Sequence, residues 1–285
     1  MSERLADRVG AALGVAPARA RVVAGGDVNR ALRVDLVDGR SVFVKHGGGD
    51  ASMYGAEAGG LAWLAEPGAL RVPRVLAVGD DDAPFLAIEW LERGRPGPRH
   101  DEVLGRGLAA LHGAGAERFG LDGPGYVGPL DVPNAPAPDW AAFYGDRRLR
   151  PLAAMAERRG SLPDGWRARI EALADRLPDL VGPPEPPARL HGDLWSGNVM
   201  TLADGCPALV DPAAYGGHRE IDLAMLRLFG GASARFEAAY DEAHPLAPGW
   251  RERVPLMQAL PLLVHVILFG GGYVGALGDV LDRHV

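Results

Sequence analysis

One short stretch constrains the fold and chemistry of this chain more than any other. It runs from His191 to Asn198 in the order His-Gly-Asp-Leu-Trp-Ser-Gly-Asn, and Asp211 follows thirteen residues after Asn198. An aspartate, an asparagine five residues later and a lone aspartate downstream form a layout typical of phosphoryl-transfer sites. There the first aspartate accepts a hydroxyl proton, and the other two residues hold magnesium ions. The pattern predicts a small-molecule kinase with Asp193 as base and Asn198 and Asp211 as metal ligands.

Lysine is almost absent from the chain, and its one occurrence is informative. Of the 30 basic residues only Lys45 is a lysine, and it ends the apolar strand pattern that starts at Ser41. A compact, flexible ammonium in an arginine-rich chain indicates a specific task. Kinases carry such a lysine on the third strand of the N-terminal lobe, where it contacts the α- and β-phosphates of ATP. Alone, Lys45 could equally be a solvated strand end; beside the 191–211 motif we interpret it as the phosphate-anchoring lysine.

Composition favours a protein that acts on small molecules inside the cell. The net charge of −7 and a pI near 5.6 argue against a nucleic-acid or anionic-membrane surface. The single cysteine, Cys206, excludes an internal disulfide and fits a reducing compartment. No apolar signal core follows Met1, so we expect a cytoplasmic location. Prolines and His265 interrupt the apolar run 254–269, which predicts a buried helix rather than a membrane span.

Residues 21–45 predict three antiparallel strands. Leu32, Val34 and Leu36 alternate with polar neighbours, and the Asp-Gly pair at 38–39 suits a tight hairpin turn. The first turn holds a further set of candidate residues: Gly25, Gly26, Asp27 and Asn29. Adjacent glycines let the backbone approach a phosphate closely, so this turn is a candidate nucleotide-covering loop. An ordinary hairpin turn is the alternative.

A helix is predicted from Ser52, a suitable N-cap, to about Ala65. Glu57, Leu61 and Leu64 fall on one face of it, which directs the Glu57 carboxylate inward beside apolar side chains. An inward carboxylate needs a cation, and Lys45 is the candidate partner. The alternative is a solvated Glu57 on a marginal helix.

Strands predicted at 74–78 and 85–88 would complete a five-stranded antiparallel sheet. Glu89, Trp90 and Leu91 follow the last strand, where kinases place the hinge whose main chain binds adenine. Only their position supports that role. We therefore predict a nucleotide-binding lobe over residues 1–90 and a catalytic and acceptor-binding lobe over 91–285.

The pattern becomes helical after residue 100, with loops predicted at 121–138 and 178–188, where glycine and proline concentrate. A hairpin is predicted over 198–210, with its turn at Asp204-Gly205. Its open end would bring Asn198 and Asp211 together as oxygen ligands for one Mg²⁺ ion.

Residues 191–198, together with 211–222 (DPAAYGGHREID), resemble the fructosamine/ketosamine kinase family of the protein-kinase-like aminoglycoside phosphotransferase superfamily. The resemblance extends over most of the chain, through Glu57 with Leu61, 104–106, 111–112, Asn134, Trp140 with Phe143, and 148–151. It implies an α+β fold with two kinase-like lobes. The N-terminal lobe would hold a five-stranded antiparallel sheet and a helix, and the larger C-terminal lobe would be mainly helical.

The resemblance also implies roles for individual residues. Lys45 and Glu57 become the phosphate-anchoring pair, and 25–27 the covering loop. Asp222 would accept hydrogen bonds from the catalytic-loop backbone, and His191 would support the same loop. ATP and Mg²⁺ are the implied cofactors.

The implied activity is phosphorylation of the 3-hydroxyl of ketosamines, such as ribulosamines, erythrulosamines or fructosamines, in deglycation repair. The partner would be a small ketosamine or a glycated amine or protein, with a protonated amine beside several hydroxyls. Four residues are candidate contacts, although each could instead pack in the core, cap a helix or brace a loop: Trp195, Tyr215, His218 and Glu220. Gly216 stands where family members often carry a second aromatic, so we expect a larger or reshaped acceptor pocket.

The same residues also occur in other classes of protein, which are the alternatives to this interpretation. An aminoglycoside, choline or homoserine kinase would use the same Asp193, Asn198 and Asp211. A protein kinase is disfavoured because only residues 212–218 separate Asp211 from the next helix, which leaves no activation segment. A non-catalytic nucleotide-binding regulator would usually have lost a charged catalytic residue, and none is missing here. The sequence leaves open whether the chain is a monomer or a homodimer.

Overall fold

The computed structural model describes residues 2–23, 30–48, 50–80 and 83–285. In its N-terminal part, five strands form an antiparallel sheet in the order β1-β2-β3-β5-β4. The elements are α1 (Ser2–Leu13), β1 (Pro17–Val23), β2 (Arg30–Leu36), β3 (Ser41–His46), α2 (Ala51–Ala65), β4 (Val75–Gly79) and β5 (Phe85–Glu89). The predicted five-stranded sheet is confirmed. The predicted glycine loop, residues 25–29, lies outside the described residues.

Strand alternation decides which side chains of β3 reach the cleft. Val42 and Val44 are buried on the face that packs against α1, in a core shared with Leu5 and Val9. Side chains alternate between the two faces of a strand, so Lys45 projects to the opposite face, where it lines a large cleft. The apolar pattern of β3 therefore fixes the direction of its lysine.

Helix α2 begins one residue earlier than predicted, and its N-cap is Asp50 rather than Ser52. The Asp50 carboxylate accepts a hydrogen bond of 2.9 Å from the Met53 amide. A carboxylate at this position satisfies an otherwise unpaired amide and complements the positive end of the helix dipole. Leu61 and Leu64 are buried, as their spacing predicted.

The C-terminal part is mainly helical. Its helices are α3 (His100–Gly113), α4 (Trp140–Ala142), α5 (Arg150–Arg158), α6 (Trp166–Leu180), α7 (Glu220–Leu228), α8 (Ala234–Ala243), α9 (Trp250–Phe269) and α10 (Val274–His284), with a π-helical stretch Phe143–Leu149 and 3₁₀ turns Ser196–Asn198 and Gly271–Tyr273. Its strands pair as hairpins β6 (Gly125–Val127) with β7 (Leu130–Val132) and β9 (Val199–Thr201) with β10 (Pro207–Leu209), and as β8 (Ala188–Leu190) with β11 (Tyr215–Gly217).

Two predicted loops contain regular structure. The β6–β7 hairpin lies within 121–138. Helix α6 runs through Pro178 to Leu180, so the proline-rich loop starts later than predicted. Pro178 removes one amide donor close to the end of the helix, and burial of Leu177 against the C-terminal core holds the last turn.

Helix α9 is a core helix, as predicted. By length and composition alone it could cross a membrane, but 56% of its apolar window is buried inside the protein. Leu256, Met257 and Leu263 belong to the main C-terminal core, which also includes α5, α6 and α10. Tertiary packing therefore accounts for its hydrophobicity.

A second core joins the two halves of the chain. Leu61 and Leu64 of α2 pack in one cluster with Leu104 and Leu108 of α3 and with Leu194 of the catalytic loop. Helix α2 is thus attached to the C-terminal half. The predicted boundary between two lobes, at residues 90 and 91, remains a prediction. This core contains residues from both sides of that boundary.

Gly216 does not enlarge an acceptor pocket, and that expectation is wrong. It pairs with Gly120 through two backbone hydrogen bonds of 2.8 and 3.0 Å. A Cβ atom on Gly216 would stand 2.0 Å from the Arg118 carbonyl oxygen. The space beside Gly216 is therefore filled by the backbone of 118–120 rather than by the cleft.

We expect Gly216→Ala to lower the free energy of unfolding by about 1–3 kcal/mol, because the methyl group meets immobile backbone. The control is Gly275→Ala on α10, where a Cβ meets nothing within 4 Å. An alanine there should raise the free energy of unfolding by roughly 0.5–1 kcal/mol. Urea unfolding of the two variants measures both changes, and equal stability of Gly216→Ala and the parent would contradict the packing described.

Candidate active site

Lys45 is the centre of the site. Its side chain is nearly buried, and its Nζ lies 2.6 Å from Glu57 Oε1 and 2.7 Å from Asp211 Oδ1. The predicted Lys45–Glu57 ion pair is present. Burial alone would lower the pKa of Lys45, but the two carboxylates outweigh it and raise the pKa, so the side chain stays charged. One ammonium thus joins β3, α2 and the segment after β10.

The β9–β10 hairpin brings Asn198 and Asp211 together, as predicted. The Val210 amide donates to the Asn198 carbonyl at 3.0 Å, and Asn198 Nδ2 lies 3.4 Å from the Asp211 carbonyl oxygen. Asp211 has φ of 55°, and among the described residues it is the only non-glycine with positive φ. Such backbone strain persists only where the surroundings enforce it, and it is common at functional sites. Here it accompanies the contact between Asp211 and Lys45.

Asp193 lines the same cleft as this ion pair. Asn198 Nδ2 donates to its carbonyl oxygen at 2.9 Å and to its Oδ2 at 3.1 Å. Burial, and then the negative charge of Asp211, raise the pKa of Asp193 to about 7. The site therefore holds a carboxylate that takes up a proton near neutrality until a cation lowers its pKa.

Asp222 and His191 hold the catalytic loop in place. The Asp222 carboxylate accepts hydrogen bonds from the amides of His191 and Gly192, at 2.8 and 2.9 Å, which is the geometry predicted for it. His191 Nε2 donates to the Val210 carbonyl at 2.9 Å, and its Nδ1 accepts from the Asp193 amide at 3.3 Å. Burial lowers the pKa of His191, so the neutral ring can act as donor and acceptor at once.

His112 also contacts Asp222, and the sequence did not single it out for this purpose. Its Nε2 lies 3.3 Å from Asp222 Oδ2, and its Nδ1 lies 2.8 Å from the Tyr240 hydroxyl. All three side chains are buried. The sequence signal that could have found His112 is its place on the apolar face of a predicted helix.

The predicted hinge residues line the other end of the cleft. Ala31, Ile88 and Met200 supply apolar walls there, and the whole cleft measures about 1140 Å³. The Glu89 carboxylate is engaged by Arg71 and Arg74, and Arg33 lies over the Trp90 ring at 4.5 Å. The Leu91 amide makes no hydrogen bond with any described residue. Main-chain groups at Leu91 are thus available to a ligand, whereas the Glu89 side chain is occupied.

Another part of the cleft, which we call its aromatic end, is lined by aromatic side chains. Trp195 is 37% exposed, and it lines the cleft together with Phe229, His265 and Tyr273. His265 stacks on Phe229 at 4.3 Å and lies 4.9 Å from Tyr273. Trp195 was predicted as a contact residue and does face the cleft. His265 was missed because its segment was predicted only as a buried helix, and no pattern in the sequence singled out Phe229 or Tyr273.

Tyr215, His218 and Glu220, which were also predicted as substrate contacts, are not among the residues that line the cleft. Tyr215 is buried, stacked on Phe143 and covered by the Arg148 guanidinium at 4.4 Å. Burial lowers the pKa of His218 to about 4, which keeps it neutral. Glu220 is 2% exposed and pairs with Arg253 through contacts of 2.5 and 2.9 Å. Strand β11 carries this segment into the C-terminal core.

Replacing Asp193 should change stability in a pH-dependent way. Its pKa is about 7 in the folded protein against 3.8 as the ordinary value, so ionisation opposes folding as the pH rises from 4 to 7. We expect Asp193→Asn to stabilise the metal-free protein at pH 8 and to have little such effect near pH 4. Urea unfolding across this range measures the difference, and a pH-independent difference would contradict the raised pKa.

Comparison with known proteins shows the family to which the chain is related. The family model "Fructosamine kinase" matches residues 1–285. A probable ketoamine kinase of Thermus thermophilus is 41% identical over 253 residues, covering 89% of each chain. One of Synechocystis sp. is 40% identical over 261 residues, covering 89% of this chain and 85% of that one.

Solved structures agree with that placement. A protein of Thermobifida fusca assigned as a fructosamine-3-kinase has a TM-score of 0.90 at 42% identity, over 99% of this chain and 98% of that one. Aminoglycoside phosphotransferase APH(4)-Ia has a TM-score of 0.64 at 18% identity over both whole chains, which shows a shared fold. The predicted two-lobed, protein-kinase-like α+β fold is confirmed. This chain belongs to the fructosamine kinase family.

Proposed function

We propose that this protein is an ATP- and Mg²⁺-dependent kinase that phosphorylates the 3-hydroxyl of ketosamines in deglycation repair. Family membership makes it a phosphotransferase with ketosamine acceptors. The observation that carries the mechanism is the Lys45 ammonium held between Glu57 and Asp211, with Asp193 facing the same cleft. The single, exposed cysteine is compatible with the cytoplasmic location that we propose.

The hinge end of the cleft suits a nucleotide. Ala31, Ile88 and Met200 offer apolar faces to a purine ring, and the Leu91 amide, which donates to none of the described residues, can donate a hydrogen bond to it. Lys45 lines the same cleft as these residues and Asp193, and there it would contact the phosphates. Thermostable mutants of APH(4)-Ia, which share the fold, have been crystallised with ADP or AMP-PNP together with hygromycin B.

The donor set fits Mg²⁺ bound together with a nucleotide. Asn198 and Asp211 offer the hard oxygen ligands that this ion prefers. Within the described ranges, no group of three or more histidine, cysteine or acidic residues could hold a metal by itself. Mg²⁺ commonly binds through one or two protein ligands plus phosphate oxygens. When bound it neutralises charge on the phosphates.

Asp193 would orient the acceptor hydroxyl and take its proton. Asn198 binds Oδ2 of Asp193, which leaves Oδ1 as the oxygen that accepts from the substrate. The hydroxyl oxygen forms a bond to the γ-phosphorus as the bond to the bridging oxygen breaks and ADP leaves. The proton passes late to Asp193, as suits a loose transition state. Burial and the charge of Asp211 raise the pKa of Asp193, and the Lys45 ammonium offsets part of that rise, which favours the carboxylate form.

The acceptor would occupy the aromatic end of the cleft. Trp195 follows Asp193 by two residues and exposes its ring to the cleft. An aromatic face attracts a protonated amine and also covers the apolar side of a sugar. A net charge of −7 further favours a cationic acceptor. The alternative of an aminoglycoside acceptor is supported only by the distant similarity to APH(4)-Ia, at 18% identity.

The proposal is tested by ADP release with Mg-ATP across a panel of acceptors, followed by NMR location of the phosphate. The panel comprises ribulose-lysine, erythrulose-lysine, fructose-lysine, choline and an aminoglycoside. We expect turnover on ketosamines, phosphate on the third carbon, and a kcat on the order of 10²–10⁴ lower in Asp193→Ala.

Asp279→Ala serves as the control, since Asp279 is an exposed carboxylate on α10 outside the cleft. It should keep the parental kcat. Turnover confined to choline or the aminoglycoside would overturn the acceptor assignment. Parental turnover in a folded Asp193→Ala variant would overturn the role of the base.

A further inference from the structure

Helix α2 carries Glu57, yet its own sequence supports it weakly. It contains glycines at 55, 59 and 60, each of which costs a helix roughly 1 kcal/mol relative to alanine. Its last turn has no basic residue, and its C-cap is the acidic Glu66 at the negative end of the helix dipole. The position of Glu57 must therefore depend on contacts from outside the helix.

Arg189 supplies those contacts at the C-terminal end of α2. Its guanidinium donates to the Trp63 carbonyl, pairs with Glu66 at 2.7 Å and lies over the Trp63 ring at 4.5 Å. Its Nε also donates to the Gly115 carbonyl at 3.3 Å, just beyond α3. One mostly buried cation thus satisfies the end of the helix and offsets the charge of Glu66.

Arg189 is also close to the catalytic loop. It lies in β8, two residues before His191, and is paired with Gly216 of β11. One side chain therefore connects the end of α2 to the strand that leads into Asp193.

Two further contacts attach α2 to the same side of the cleft. Near its N-terminus, the Ser52 hydroxyl is hydrogen-bonded to the Tyr126 hydroxyl of β6. In its middle, a Cβ on Gly60 would stand 3.1 Å from Ala214 Cβ, so the helix lies directly against the segment that follows Asp211. Together with Arg189, these contacts form what we call the α2 clamp.

We propose that Arg189 is a positioning residue that, through the α2 clamp, holds Glu57 against Lys45 and keeps the phosphate-anchoring pair formed in the absence of ligand. The inference rests on the proposed function, since it assigns Lys45 to the nucleotide phosphates. Lys45 has two carboxylate partners at nearly equal distance. If α2 withdraws, Lys45 remains paired with Asp211 alone, away from its anchoring position.

Arg189→Leu tests the proposal by calorimetric binding of Mg-AMP-PNP. We expect the Kd to rise about tenfold, with the acceptor KM unchanged within twofold, because the acceptor end of the cleft does not contact α2's C-terminus. In a Glu57→Gln background the same substitution should change the Kd by less than twofold, because the interaction that it protects is already lost. Arg189→Lys keeps the charge next to Glu66 and should retain part of the affinity.

Arg169→Leu is the matched control. Arg169 pairs with Asp282 at 2.6 Å and lies 5.9 Å from the Trp166 ring, in a similar arrangement away from the cleft. It should leave nucleotide affinity unchanged.

Hydrogen exchange over residues 51–65 provides a readout that needs neither nucleotide nor acceptor. We expect faster exchange there in Arg189→Leu than in the parent or in Arg169→Leu. Unchanged exchange, or a loss of affinity that adds fully to that of Glu57→Gln, would overturn the clamp. Failure of the parent protein to bind Mg-AMP-PNP would instead overturn the proposed function, and the exchange rates would still decide whether Arg189 holds α2.

Discussion

The Lys45 ammonium, held between Glu57 and Asp211, is the interaction on which the arrangement of the site depends. It joins β3 and the next element, α2, to the segment after β10, which lies far along the chain from both. Removing one partner of a buried ion pair typically costs about 3–5 kcal/mol, so the three elements depend on one another at this point. With Asp193 nearby, the cluster still has more carboxylates than cations. Burial, and then that excess of negative charge, raise the pKa of Asp193, and a further cation bound by Asn198 and Asp211 would offset the excess.

Much of this site was predictable because its signals are local. Asp193 and Asn198 lie on one loop, a short hairpin returns the chain to Asp211, and strand alternation directs Lys45 into the cleft. The Lys45–Glu57 pair was predictable as well, because a carboxylate on an apolar helix face must find a cation. The N-cap of α2 was misassigned by two residues, since aspartate and serine at 50 and 52 are both good caps.

The expectations that differ from the structure share one cause, which is packing between residues distant in sequence. Tyr215, His218 and Glu220 follow Asp211 closely and looked like contact residues. Their environment is set by partners elsewhere, such as Arg148 over Tyr215 and Arg253 beside Glu220. Conversely, His265 enters the cleft from α9, whose apolar pattern indicates only a core helix. The spacing of apolar residues along the sequence predicts which side chains point inward. It does not predict which interior surface each of them reaches.

The most direct test of this account is kcat/KM for ATP in Lys45→Arg, measured with a ketosamine acceptor in protein that unfolds cooperatively. The chain uses arginine at its other 29 basic positions, so only the geometry of this site demands an ammonium. A planar guanidinium cannot occupy the point where Nζ meets two carboxylates at 2.6 and 2.7 Å. We predict a loss of about 100-fold or more. A value within about threefold of the parent would contradict the central role of Lys45.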